Sequence, residues 1–255
     1  MCWCWNKWIE KHLARRGCRG WTGMMKLVLL PGMHGTGDLF ADFVKAISGT
    51  FVAEALTYPT DVSLSSPELL TFLQSAIPAS EPFVLLAESF STPLAIQYAA
   101  AHPSNLKALI LVAGFATSPV HGWMHFLGTR LPPSLFGVPL PSFVATRIVG
   151  PNAPPELVNA LRTAVSSVSP VVMLSRLRTV LACDARVELS QVAVPMLYIQ
   201  ARQDGLVPAS CLDEILRIKS QTAVATISGP HLILQREPRD CADIVARFLN
   251  SVQHS

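Results

Sequence analysis

The chain has 255 residues, 50% of them hydrophobic and 15% charged, with a formal net charge of +3. That length suits one α/β domain with a sizeable core, and so small a charge, its basic residues gathered mainly in the first 26 positions, argues against nucleic acid as a partner. The cysteines Cys2, Cys4, Cys18, Cys183, Cys211 and Cys241 form neither a disulfide framework nor a zinc-ligand spacing, and they read as free thiols of a reducing, cytoplasmic compartment.

Residues 1–24 lack the apolar stretch of about 7–15 residues that a secretory signal needs. They read as an N-terminal extension outside the core, with Met24 or Met25 able to serve as a start directly on the first strand. As a helix, this segment would set Trp5, Trp8, Ile9 and Leu13 against Lys7, Lys11, Arg15 and Arg16, a pattern compatible with weak association with a membrane surface. Stable insertion is not expected, because no uninterrupted apolar run approaches the roughly 20 residues that cross a bilayer.

From Lys26 onward, short apolar runs alternate with amphipathic segments, the pattern of strands and crossover helices in a parallel sheet. Runs ending at Leu30, near Tyr58, and at Ala87, Gly114, Gln200 and Ser228 predict six strands, each bounded by Gly, Pro or polar residues. Helices are expected over residues 37–48, 67–77, 89–102, 212–219 and 238–252. In the last of these Ile244, Val245, Phe248, Leu249 and Val252 share one stripe. The interval 117–187 breaks this rhythm with many prolines and with Trp123, Phe126, Leu127, Phe136 and Phe143, and it is assigned to an inserted helical cap. Residues 25–255 therefore read as one domain with the cap as an excursion.

The strand Phe83–Glu88 runs through a tight corner at Ser89 into a helical stretch. A serine on such a strained strand-to-helix turn needs small neighbours two before and two after it; Ala87 and Ser91 qualify, although neither is glycine. Ser89 is the candidate nucleophile. At that corner the free N–H groups and the positive end of the helix face any oxyanion, with the Phe90 N–H as donor. A second donor is expected from the loop Leu29-Leu30-Pro31-Gly32-Met33-His34-Gly35-Thr36-Gly37, at the Met33 N–H, with Thr36 as the alternative. That loop has neither the lysine of a phosphate cradle nor dinucleotide glycine spacing, so no nucleotide is expected. No other cofactor and no metal is implied.

A serine hydroxyl becomes a useful nucleophile when an imidazole removes its proton and a carboxylate orients that imidazole. The strand over 194–200 precedes Asp204, and the strand over 222–228 precedes His231. Both residues follow strand ends, where the working groups of open parallel sheets gather. Asp184, the competing acid, precedes Arg186-Val187-Glu188-Leu189 rather than following a strand, and fits a loop or helix-end role. His102 closes a helix ahead of Pro103, and His121 and His125 fall in the proposed cap.

The Pro31-Gly32-x-x-Gly35-Thr36-Gly37 loop, the Ala87–Ser91 corner, the Arg202–Pro208 segment and Gly229-Pro230-His231 together resemble the α/β-hydrolase superfamily over about residues 26–252. The loop is similar to that of small bacterial esterases and of plant plastid esterases with acyltransferase activity. The resemblance implies a mostly parallel sheet flanked by helices, a helical cap after the strand ending near Gly114, and a structural role for Asp184. Its members usually open with an antiparallel hairpin; here Met25 leads straight into the loop-bearing strand, so a reduced sheet is expected. The implied activity is a serine carboxylic-ester hydrolase, working through an acyl-enzyme on a small-molecule ester with a short- to medium-chain acyl group. Acyl transfer through the same acyl-enzyme, and a non-catalytic small-molecule binding module, are the alternatives.

Overall fold

The computed structural model describes residues 25–77, 80–120, 122 and 130–253. The expectations for residues 1–24 and for His121, Trp123, His125, Phe126 and Leu127 lie outside them.

The predicted strands form β1 (Lys26–Leu30), β2 (Val52–Ala55), β3 (Phe83–Glu88), β4 (Leu106–Val112), β5 (Met196–Ala201) and β6 (Ala223–Ile227). They make one sheet in the order β2-β1-β3-β4-β5-β6, with every pairing parallel. Parallel strands need crossovers that cover both faces of the sheet, which is why the central runs are almost wholly apolar; every residue of β3 is buried.

The helices are α1 (Ala41–Ile47), α2 (Ser66–Ala76), α3 (Ser91–Ala100), α4 (Ser142–Val149), α5 (Pro155–Ser166), α6 (Pro170–Ala182), α7 (Arg186–Gln191), α8 (Ser210–Ile218), α9 (Ile233–Arg236) and α10 (Pro238–Gln253). Leu69 and Leu73 of α2, Leu94 and Ile96 of α3, Leu189 of α7 and Ile215 of α8 pack one face of the sheet. Phe43 and Ile47 of α1, Ile233 of α9 and Ile244, Val245 and Phe248 of α10 pack the other. Each fully buried Leu, Ile or Phe contributes roughly 1.5–3 kcal/mol to these layers.

Three of the boundaries that differ from expectation have a clear physical cause. The second strand ends at Ala55 rather than near Tyr58, because the chain beyond it is drawn away to brace the loop after β1: the Tyr58 N–H donates to Gly35 O at 2.8 Å. The fourth strand ends at Val112, where Ala113 takes a positive φ of 46° and turns the chain. The helix expected from Ser89 starts at Ser91, since Ser89 itself has a φ of 51°, outside the right-handed helical range.

The helical insertion leaves the sheet and returns to it at one point. Thr117 and Asp184 form an isolated antiparallel bridge, and the Ala185 N–H donates to Ala116 O at 2.8 Å beside it. Between these residues lie a 3-10 turn at Pro133–Phe136 and helices α4 to α6. The prolines that obscure this region in sequence sit at helix starts, as with Pro155 and Pro170, where a missing N–H costs nothing. Ala145 and Val149 of α4 and Leu161 of α5 cluster with Leu39 and Leu232, while Val172 and Met173 of α6 pack against Met33. The insertion is thereby anchored over the loops that follow β1 and β6.

Strand β1 lies between β2 and β3. Its own crossover, α1, goes to one face of the sheet, whereas α3, after β3, goes to the other. The carboxyl ends of β1 and β3 thus flank a topological switch point, the place where open α/β sheets leave a crevice for ligands.

Candidate active site

At the end of β3, Ser89 is held in the left-handed region at φ 51°, with its N–H donating to Val112 O at 2.9 Å and its carbonyl accepting from the Thr92 N–H at 2.9 Å. A non-glycine residue in that conformation is strained, and the strain is sustained by the packing around it. Ser91, two residues on, donates its hydroxyl to Pro31 O at 2.5 Å and pairs with the Tyr58 hydroxyl at 2.7 Å. The position that would ordinarily hold a glycine is used here to tie the start of α3 to the loop after β1.

Ser89 Oγ lies 2.8 Å from His231 Nε2, and His231 Nδ1 lies 2.7 Å from Asp204 Oδ2. The other oxygen of Asp204 accepts the N–H groups of Leu206 at 2.7 Å and Val207 at 2.9 Å, which leaves Oδ2 aimed at the imidazole. Because a carboxylate only accepts, His231 carries its proton on Nδ1 and offers the Nε2 lone pair to Ser89. The side chains of His231 and Asp204 are 5% and 6% exposed, while Ser89 remains partly open. Three residues from three separate strand ends therefore meet in one hydrogen-bonded line. Asp184 takes no part in it: half-exposed, it pairs with Arg186 and accepts the Arg186 N–H at 3.2 Å.

The loop from Pro31 to Gly35 has every carbonyl claimed. Pro31 O accepts from Ser91, Gly32 O from the Gly35 N–H at 2.9 Å, and Gly35 O from the Tyr58 N–H at 2.8 Å. Met33 O and His34 O both accept from Nη1 of Arg176, each at 2.9 Å. The Met33 and Phe90 N–H groups have no hydrogen-bond partner among the described residues, whereas the Thr36 N–H is engaged by His34 Nδ1 at 3.3 Å.

No family model matches the chain. The Cellvibrio japonicus (strain Ueda107) protein named "Biotin biosynthesis bifunctional protein BioHC" is 25% identical over 203 residues, and the alignment spans 76% of this chain but 40% of that protein. Two solved structures superpose over most of both chains. The enol-lactonase from Burkholderia xenovorans LB400 has a TM-score of 0.72 at 16% identity, covering 89% of this chain and 92% of its own. The hydrolase olei00960 from Oleispira antarctica has a TM-score of 0.74 at 11% identity, covering 91% and 92%. The chain has the α/β-hydrolase fold.

Within that α/β-hydrolase fold, a second polar group lies behind Ser89. Glu88 is fully buried, with the Gly32 backbone beside it, and it accepts from Gln235 Nε2 at 3.4 Å. Burial pushes its carboxyl up to about 7, against the opposing influence of His231. His34 is pulled down to about 4, first by burial and then by the electrostatic influence of Arg176 and His231 beside it. Since His34 Nδ1 accepts from Thr36, its proton sits on Nε2. That Nε2, Glu88 Oε1 and Gln235 Oε1 are buried without a hydrogen-bond partner among the described residues. No group of three His, Cys, Asp or Glu side chains among the described residues is placed to hold a metal ion.

Sequence reading overlooked Glu88 and Arg176. A carboxylate closing an otherwise apolar strand directly before the serine, in FVLLAES, was a visible signal. Arg176 gave none, because an arginine in an amphipathic helix reads as solvent-facing until the fold buries it.

Proposed function

We propose that the protein is a serine carboxylic-ester hydrolase, a reading carried by the hydrogen-bonded line from Ser89 through His231 to Asp204. Ser89 Oγ attacks the acyl carbonyl as His231 Nε2 takes its proton, and the carbonyl oxygen becomes an oxyanion held by the Phe90 and Met33 N–H groups. His231 returns the proton to the departing alcohol, leaving an acyl-Ser89 ester. A water deprotonated by His231 then releases the acid and restores Ser89. Throughout, Asp204 keeps the Nδ1 proton in place and balances the imidazolium. The apolar cap residues suit an apolar acyl group, taken here as short to medium in chain length, and the enol-lactonase likeness is consistent with ester-type substrates.

Ser89→Ala removes the covalent route, and turnover of p-nitrophenyl butyrate is expected to fall by about 10⁶-fold in a folded protein. Near-wild-type turnover would overturn the proposal. A fluorophosphonate probe is expected to label Ser89 in the wild type and to fail in His231→Ala. Across p-nitrophenyl esters from acetate to palmitate, activity is expected to peak at short or medium chains; a maximum at palmitate would instead indicate a lipase.

A further inference from the structure

Arg176 is 3% exposed, yet its neighbours offer it no carboxylate among the described residues. It projects from cap helix α6 into the loop after β1, where Nη1 donates to Met33 O and His34 O and Nη2 donates to Pro59 O at 2.8 Å. The guanidinium carbon stands 5.7 Å from the centroid of the Tyr58 ring. Gly35 makes room for it: at φ +75°, a Cβ there would lie 2.2 Å from Nη1. Three carbonyls from two loops converge on one planar fork, an arrangement that the rigid guanidinium matches and an ammonium does not.

The consequence follows from the geometry of trans peptides, in which each C=O points opposite to the next residue's N–H; among the described residues no peptide is cis. By holding His34 O, Arg176 turns the Gly35 N–H the other way, onto Gly32 O. Holding Gly32 O in turn fixes the direction of the Met33 N–H. The same helix packs Val172 and Met173 against the Met33 side chain. We propose that Arg176 is a positioning residue for the oxyanion hole, a strut by which the cap sets the direction of the Met33 N–H. This rests on the serine-hydrolase reading above and adds a residue to it. A cap that shifts α6 withdraws the strut, so the cap's position and the chemistry at Ser89 are coupled.

The test uses Arg176→Met and Arg176→Lys in the full chain. With p-nitrophenyl acetate, Arg176→Met is expected to lower kcat by about 10–10²-fold, part of the loss seen when an oxyanion donor is deleted outright. KM is expected to change little. An aryl trifluoromethyl ketone, whose adduct with Ser89 carries the oxyanion, is expected to bind more weakly by the same factor as the fall in kcat. Amide hydrogen exchange of the peptide covering residues 32–36 is expected to quicken. Arg176→Lys, which keeps the charge but reaches fewer carbonyls, is expected to fall between wild type and Arg176→Met, and it carries the test where the methionine variant does not fold. A kcat within twofold of wild type, a rise in KM at constant kcat, or unchanged loop exchange would each overturn the strut. If the wild type hydrolyses no ester, the proposed function fails by itself, while the exchange measurement still decides whether Arg176 orders the loop.

Discussion

Two buried polar groups flank Ser89, and they are built on opposite principles. In the line through His231 to Asp204, the atoms facing inward are matched donor to acceptor, and Asp204 is saturated by two backbone N–H groups and one imidazole. In the group formed by Glu88, His34 and Gln235, three buried atoms go without a partner among the described residues. Burying a charge without partners is costly, so these groups shed it instead: the acid is raised and the imidazole lowered until both are neutral over a shared range. Adjacency to Ser89 does not decide which carboxylate holds the imidazole. Glu88 is next to Ser89 in sequence and lacks the partners to stay charged, whereas Asp204 is 115 positions away (204 minus 89) and has them.

The sharpest way to break that contrast is Asp204→Asn. Since Oδ1 accepts the N–H groups of Leu206 and Val207, an asparagine would keep its carbonyl there and turn its NH₂ toward His231. Nδ1 must then accept, the proton moves to Nε2, and the imidazole can no longer take the proton of Ser89. A loss of about 10³–10⁴ in kcat is expected with the fold intact, checked by steady-state kinetics beside circular dichroism. A loss under tenfold would mean that Asp204 does not orient the base.

The sequence made the sheet and the Ser89, Asp204 and His231 positions readable because each rests on a local pattern: an apolar run, a turn, and a reactive residue just past the strand end. Six strands follow from that pattern, and the break in it over 117–187 marks the helical excursion, which in the structure returns at Asp184. What stayed hidden depends on approach between distant segments. Arg176 is 117, 142 and 143 positions from the three carbonyls it binds, and Tyr58 is drawn off the second strand by its N–H bond to Gly35. Ser91 stands where a glycine is usual, and its hydroxyl bond to Pro31, across 60 positions, supplies a reason for serine there.

Glu88 titrates near 7 in the folded protein against 4.5 unperturbed, so the stability it contributes is present below 4.5 and lost as pH rises through 7. His34 titrates near 4 against 6.5 unperturbed, so its contribution is present above 6.5 and lost as pH falls through 4. Each full swing is on the order of 3 kcal/mol, and between pH 4.5 and 6.5 the two slopes oppose each other. The wild type should therefore show a nearly flat contribution from this pair. Glu88→Gln is expected to expose the histidine's slope, losing stability as pH falls from 6.5 to 4 and exceeding the wild type at pH 8. His34→Gln is expected to show the reverse slope. Urea denaturation from pH 4 to 8 checks both; two variants that keep the wild-type profile would mean that neither group is shifted.

The smallest effect is expected at Asp184, which shares its local motif with Asp204. Both carboxylates accept the N–H of the residue two positions on, Arg186 in one case and Leu206 in the other. They differ in what lies beyond: Asp204 meets a buried imidazole, whereas Asp184 is half-exposed and meets the exposed guanidinium of Arg186. That guanidinium holds the Asp184 carboxyl below its usual range, so its contribution to stability is lost only as pH falls below that range, and solvent screening keeps it small. Asp184→Asn is expected to leave kcat within twofold of wild type and to lower Tm by no more than about 2–4 °C. The difference should shrink as salt is added, because an exposed pair is screened and a buried one is not. A tenfold loss of kcat at Asp184 would reverse the assignment of the two acids, for the same turn chemistry would then have built the working carboxylate at the cap's return point instead of beside His231.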